Sequence, residues 1–260
     1  MRLNHHRSGA GTPLVLIHGI GHHWQGWRPV IELLSAQREV IALDLPGFGA
    51  SAMPPPATPP GIESLTSLVS EFLDEAELAR PHVAGNSLGG WIALELARRG
   101  RVRSATALSP AGFHNQMESV YQRGSLRLAR TAARLMDGRA DRLLTRPGVR
   151  RLAFAQMTAR PERIPADELV ASVHALATAP WFDPTLIAIG RDVYSERGPI
   201  AVPVTIAWGE QDRLLRPHQS RRAARAIPNA RMVTLGGCGH VPFSDDPQQV
   251  ARVLLEGSSK

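Results

Sequence analysis

Short apolar runs closed by glycine or proline alternate along this chain with longer stretches in which apolar residues recur every three or four positions. Residues 12–17 read as a buried strand ending at His18-Gly19, and Glu39–Leu43 as a second strand ending in Asp44-Leu45-Pro46-Gly47. Between 62 and 78, Leu65, Leu68, Val69, Phe72 and Leu73 fall at helical spacing. Residues 82–85 form a short strand, Leu88–Arg98 a helix closed by Gly100, and 102–108 a strand again. After a long interruption the alternation resumes with strand 202–208, helix 218–226, strand Arg231–Leu235 and helix 247–255. Strands alternating with helices predict an α/β fold with a mostly parallel sheet covered on both faces. The proline-rich stretch 52–61 is too short for a domain linker and reads as a stiff exposed connection.

The interruption, residues 111–199, is helix-rich and predicts a helical cap inserted between two parts of a core formed by 1–110 and 200–260. It also holds most of the charge imbalance. The chain has 260 residues and a net charge of +7, and eleven arginines against three acids fall between Tyr121 and Arg163. There Arg123, Arg127, Arg130 and Arg134 share one helix face, with Leu128, Ala132 and Leu135 opposite. The plain expectation is a solvated arginine face; the sharper one is attraction of an anionic substrate or an acidic membrane surface. Nucleic acid is not expected as a partner, because the basic stretch lacks interleaved aromatics and any recognisable module.

The remaining composition mainly excludes. A 43% hydrophobic content is ordinary for a globular protein, and the one cysteine, Cys238, rules out an intrachain disulfide. The first nine residues are polar and the first apolar run is far too short to span a bilayer, so the expectation is a soluble, cytoplasmic protein without integral membrane association. Its oligomeric state cannot be read.

Gly85-Asn86-Ser87-Leu88-Gly89 is a G-x-S-x-G placed directly between a strand and a helix. Such a turn lifts the serine oxygen above the carboxyl edge of the sheet, with glycines where side chains would collide. A serine hydroxyl needs a base and an acid that orients it. Asp212, after strand 202–208, and His240, after Arg231–Leu235, stand in the order and at the strand ends such a triad requires. Two backbone donors are needed for the oxyanion: the N–H of Leu88 is one, and that of Ile20, in the loop after the first buried strand, is the other.

Together with His18-Gly19-x-Gly21, the turn Asp44–Ser51 and Gly239-His240, these motifs resemble the α/β-hydrolase fold across nearly the whole chain outside the cap. The resemblance implies catalytic roles for Ser87, Asp212 and His240 and oxyanion roles for Ile20 and Leu88. The implied activity is a serine hydrolase, carboxylesterase-like, cleaving a small or medium ester through an acyl-enzyme without a cofactor. Serine at 87 departs from the epoxide hydrolase and haloalkane dehalogenase branches, which carry aspartate there. The elbow also resembles that of meta-cleavage-product hydrolases, which break carbon–carbon bonds, although Val241 stands where that branch has tryptophan. Perhydrolase-like chemistry and a non-catalytic ligand receptor are the other readings.

Gly21, Trp91, Phe113 and Val241 are candidates for the substrate pocket; Trp24 and Trp27 read as core. Asp183, Asp192, Asp245 and Asp246 compete with Asp212 for the acid's role, the last two being expected at a helix start. His5, His6, His18, His22 and His23 could suggest a metal, but no H-E-x-x-H or cysteine partner accompanies them, so none is expected. Cys238 reads as a small packing residue under the histidine loop.

Overall fold

A computed structural model describes residues 2–194 and 198–259. Seven strands form one sheet in the order β1-β3-β2-β4-β5-β6-β7. They are β1 (His5–Ser8), β2 (Pro13–Ile17), β3 (Glu39–Leu43), β4 (His82–Asn86), β5 (Ser104–Leu108), β6 (Val204–Gly209) and β7 (Arg231–Leu235). All neighbours pair in parallel except β1, which runs antiparallel to β3 with His5 opposite Leu43. The mostly parallel sheet is the one the pattern predicts, and the arrangement is the α/β-hydrolase fold that the motif resemblance implies.

Alternation within the strands assigns the two faces. Val15, Ile17, Ile41 and Leu43 pack with α2 (Ile62–Glu75) and α3 (Leu88–Arg98). Leu14, Leu16, Val40 and Ala42 pack with α1 (Arg28–Ser35) and α10 (Pro247–Gly257) on the other side. The polar N-terminus carries a strand that its composition hides: β1 alternates exposed and half-buried residues and is held by backbone pairing to β3 rather than by burial.

Among the described residues five α-helices lie between β5 and β6: α4 (Gln116–Met136), α5 (Ala140–Leu143), α6 (Pro147–Phe154), α7 (Ala166–Thr178) and α8 (Phe182–Ile189). The first four share a small apolar cluster around Leu144, Leu169 and Val173, whereas α8 packs into the main core through Phe182, Leu186 and Ile189. Residues 195–197, within the expected 111–199 insertion, lie outside the described residues. Helix α9 (Ser220–Ala226) completes the set. No described helix is long and apolar enough to cross a membrane.

The arginine face of α4 needs correction. Leu128 and Leu135, expected opposite the arginines and therefore buried, are 72% and 75% exposed, whereas Arg130 is 5% exposed. Helix α4 buries Ser119, Gln122, Leu126, Arg130 and Ala133 instead. The cause is a specific receptor for the guanidinium. Its Nη2 donates to the Ala179 carbonyl (2.7 Å), its Nη1 lies 2.9 Å from the Asp183 carboxylate, and its plane sits 4.7 Å from the Phe182 ring centroid. Periodicity counts apolar positions and cannot see such a partner.

Candidate active site

The β4–α3 turn holds Ser87 at φ 56° and ψ −114°, a backbone conformation costing roughly 1–3 kcal/mol for a non-glycine residue. Hydrogen bonds hold it there: Ser87 N–H donates to the Leu108 carbonyl (2.9 Å), and the Ser87 carbonyl accepts from Ala111 and Trp91 N–H. The flanking glycines are steric necessities. A Cβ at Gly85 would lie 2.0 Å from the Gly89 oxygen, and one at Gly89 would lie 2.1 Å from the Ile17 oxygen. The loop after β2 presses onto the same spot, since a Cβ at Gly19 would come within 3.2 Å of Ser87 Cβ.

Asp212 and His240 meet beside this turn, both almost fully buried. His240 Nδ1 lies 2.8 Å from Asp212 Oδ2, while Asp212 Oδ1 accepts the N–H groups of Leu214 (2.9 Å) and Leu215 (2.8 Å). With Nδ1–H donated to the carboxylate, Nε2 carries the free lone pair. The two loops are stitched together: Gln211 N–H donates to the Cys238 carbonyl, and a Cβ on Gly209 would sit 2.1 Å from the Gly239 oxygen. The Ser87 hydroxyl itself has no hydrogen-bond partner among the described residues, so the serine–imidazole contact is the one link of the three left open. Leu88 opens α3, which leaves its N–H without an intrahelical acceptor. The Ile20 N–H also makes no hydrogen bond to described residues.

Three further side chains build the site. Asn86, beside Ser87, donates its Nδ2–H to the carbonyls of His240 (2.9 Å) and Leu108 (3.1 Å), tying the histidine loop to the β4–α3 turn. Asp44 accepts from Trp24 N–H, Asn4 Nδ2 and Ala50 N–H, joining the turn after β3 to the segment that follows the Ile20 loop. Asp245 does not begin α10; Asp246 does, accepting from Gln249 N–H. Asp245 is fully buried and accepts from Gly239 N–H (2.7 Å), Ala159 N–H (3.0 Å), Arg160 N–H (2.7 Å) and Thr158 Oγ1 (2.5 Å), binding the His240 loop to the inserted helical segment. A polar residue beside the nucleophile hinted at Asn86; nothing local in the sequence hints at Asp245. Asp245→Asn should lower stability by about 2 kcal/mol, because one amide oxygen cannot replace a carboxylate before four donors. Equilibrium unfolding in urea measures it.

Histidines 18, 22 and 23 are structural in this arrangement. The His18 ring bridges the loop, with Nδ1 2.7 Å from the Gly19 carbonyl and Nε2 accepting Leu45 N–H at 2.9 Å. Burial, only partly offset by the Asp44 charge, pushes its pKa down to about 4, and burial pushes that of His22 down to about 3. Among the described residues no group of three or more histidine, cysteine or acidic side chains converges on a metal position. A neutral buried His18 has a pH consequence. The unfolded ring binds a proton below about pH 6.5 while the folded one stays neutral down to about 4. Stability is therefore full above 6.5 and is lost as pH falls, by about 2 kcal/mol at roughly pH 5 for this ring. Urea titrations at the two pH values should show the loss, and His18→Gln should shrink it. Cys238 is fully buried, and burial together with Asp245 and Asp246 pushes its thiol up to about 12, so it stays protonated.

Two cavities meet at Ile20. One of about 220 Å³ is lined by Gly21, His22, Met157, Leu176, Glu168 and Val241, among others. The other, about 30 Å³, is lined by Ser87, Leu126, Leu214 and Leu215. Gly21 and Val241 thus face open space. Trp91 and Phe113 face neither cavity and belong to the core, at 1% and 4% exposure: Trp91 packs under Gly112, and the Phe113 ring lies 5.0 Å from that of Tyr194 at a tilt of 34°.

This fold and this site define a protein of the hydrolase class, and the chain belongs to the alpha/beta hydrolase family, whose model matches residues 14–253. It is 34% identical over 200 residues to the epoxide hydrolase EphH of Mycobacterium tuberculosis, covering 73% of this chain and 91% of that protein. It is 31% identical over 247 residues to the 2-hydroxy-6-oxo-2,4-heptadienoate hydrolase of Pseudomonas putida, covering 91% and 85%. A thermophilic esterase from Thermogutta terrifontis shares the fold with TM-score 0.74 over 98% of this chain and 92% of the other, at 21% identity.

Proposed function

We propose that the protein is a serine hydrolase that cleaves a small or medium carboxylic ester through an acyl-enzyme, with 111–199 acting as a cap that shapes the pocket. The observation that carries this reading is the buried Asp212–His240 pair beside a serine held at positive φ on a strand–helix turn. In the proposed step Ser87 Oγ bonds to the carbonyl carbon as its proton passes to His240 Nε2. The Ile20 and Leu88 N–H groups receive the oxyanion, and Asp212 stabilises the imidazolium. Collapse breaks the C–O bond to the alcohol, which takes the proton from His240; water then repeats the sequence on the acyl-enzyme. The serine hydroxyl turns onto Nε2 when substrate fills the chamber, as apo sites commonly tighten on binding.

Similarity to an epoxide hydrolase does not carry that activity here, for a chemical reason. Serine opening an epoxide would leave an alkyl ether, which has no carbonyl for water to attack, whereas an aspartate would leave a hydrolysable ester. Carbon–carbon hydrolysis is the second reading, favoured by the 31% identity to a dienoate hydrolase. A fluorophosphonate probe followed by peptide mass spectrometry tests the serine reading: the adduct is expected on Ser87. Folded protein that takes up no probe would overturn it and favour a non-catalytic receptor. Turnover of p-nitrophenyl esters beside a coloured ring-cleavage dienoate separates C–O from C–C cleavage.

A further inference from the structure

The chamber at Ser87 has a polar wall that the ester mechanism does not use. His114, Gln122 and Arg123 line it, the latter two from adjacent positions on α4. Gln122 is 8% exposed, and its Nε2 has no hydrogen-bond partner among the described residues. A buried donor left unpaired is costly, which marks a position awaiting an acceptor. Arg123 is half-buried and makes one long hydrogen bond, Nε to the Ser119 carbonyl at 3.4 Å. No carboxylate among the described residues lies within ion-pair distance of it, in contrast to Arg130 with Asp183, Arg98 with Glu95 and Arg222 with Glu118. Its stem is held in place by Gly190, where a Cβ would fall 2.3 Å from Arg123 Cδ.

The acid closest in sequence is already engaged. The Glu118 carboxylate accepts from Arg222, pairs with His218 and accepts the Asn115 N–H at 2.7 Å. Among the described residues the walls of the Ser87 chamber carry no aspartate or glutamate, while the larger cavity beyond Ile20 carries Asp167 and Glu168 with Arg28 as its one described arginine. The charge on the two sides of Ile20 therefore differs in sign. An anionic group is favoured on the Arg123 side and opposed on the other.

We infer that the acyl part of the substrate ends in a carboxylate, received by the Arg123 guanidinium and the Gln122 amide across the chamber from Ser87. This deepens the serine-hydrolase reading and rests on it. The alcohol part extends past Ile20 into the larger cavity. The chamber on the Ser87 side is much the smaller of the two, about 30 Å³ against about 220 Å³, so the acid is the shorter part of the substrate, a half-ester of a short dicarboxylic acid.

The test compares benzyl hemisuccinate with benzyl butyrate, following released benzyl alcohol. The wild-type enzyme is expected to prefer the hemisuccinate in kcat/KM. Arg123→Met should lower the hemisuccinate-to-butyrate ratio by about 10–100-fold, the size of a charge-assisted hydrogen bond, mainly through KM; Gln122→Leu should lower it less. Arg123→Lys should recover part of the ratio, and added salt should erode it in the wild type alone. An unchanged ratio in Arg123→Met, or a wild-type preference for butyrate, overturns the inference. Succinate binding separates this outcome from failure of the ester reading. Succinate should raise the melting temperature of the wild type and of Ser87→Ala but not of Arg123→Met. That pattern with neither ester cleaved keeps the carboxylate site and removes the esterase; no succinate shift in any variant removes the site.

Discussion

Replacing Ser87 with alanine should reduce kcat/KM on the best ester by at least about 10⁴-fold, abolish fluorophosphonate labelling and leave the melting temperature nearly unchanged. On the proposed mechanism the size follows from loss of the nucleophile, since the imidazole at 240 and the two amides would then act only on a bound water. The small stability effect follows from the side chain's lack of any hydrogen-bond partner among the described residues. Alanine keeps the Cβ that Gly19 packs against, so the backbone bonds to Leu108, Ala111 and Trp91 persist. Retained activity in a folded Ser87→Ala protein would remove the serine from the chemistry. Far-ultraviolet circular dichroism and a thermal scan establish folding independently of turnover.

Gly89→Val should be the most damaging of the single changes. The first carbon of any side chain there would sit 2.1 Å from the Ile17 oxygen and 2.6 Å from the His18 oxygen, both backbone atoms of a central strand and its loop. Neither can retreat without breaking the pairing of β2 with β3 and β4. The expected cost is more than about 3 kcal/mol, a fall in melting temperature on the order of 10 °C, with loss of probe labelling in whatever protein remains folded. A variant as stable as the wild type would mean that the helix start does not press against β2. Gly100→Ala, where nothing lies within 4 Å, is the comparison for a glycine in open space, although its φ of 68° carries a small penalty of its own.

Much of the architecture is legible in the sequence because parallel strands buried on both faces leave compact apolar runs, and because the strand–helix turn at Ser87 demands glycines at fixed spacing. Strand Glu39–Leu43 and helix Leu88–Arg98 have the limits the pattern predicts. The failures share a cause. Strand β1 is held by main-chain hydrogen bonds at a sheet edge, which leave little trace in side-chain polarity. The burial of Arg130 depends on a carbonyl, a carboxylate and a ring some 50 residues further on. Trp91 and Phe113 lie close in sequence to elements that open on Ser87, one on α3 and one just after β5, but both side chains turn into the core, because neighbours on a helix or loop face different directions.

Local order along the chain determined the strand–turn–helix that presents Ser87, the placement of Asp212 and His240 after later strands, and the parallel sheet that brings strand ends to one edge. Those are properties of short segments and their succession, governed by steric and hydrophobic period. Only the tertiary structure decided that Asp245, not a helix start, ties the histidine loop to the helices between β5 and β6, that α4 turns Leu128 and Leu135 outward, and that two cavities of opposite polarity meet at Ile20. Each of these depends on which distant groups satisfy a buried charge or hydrogen bond, and that pairing exists only once the chain has closed on itself.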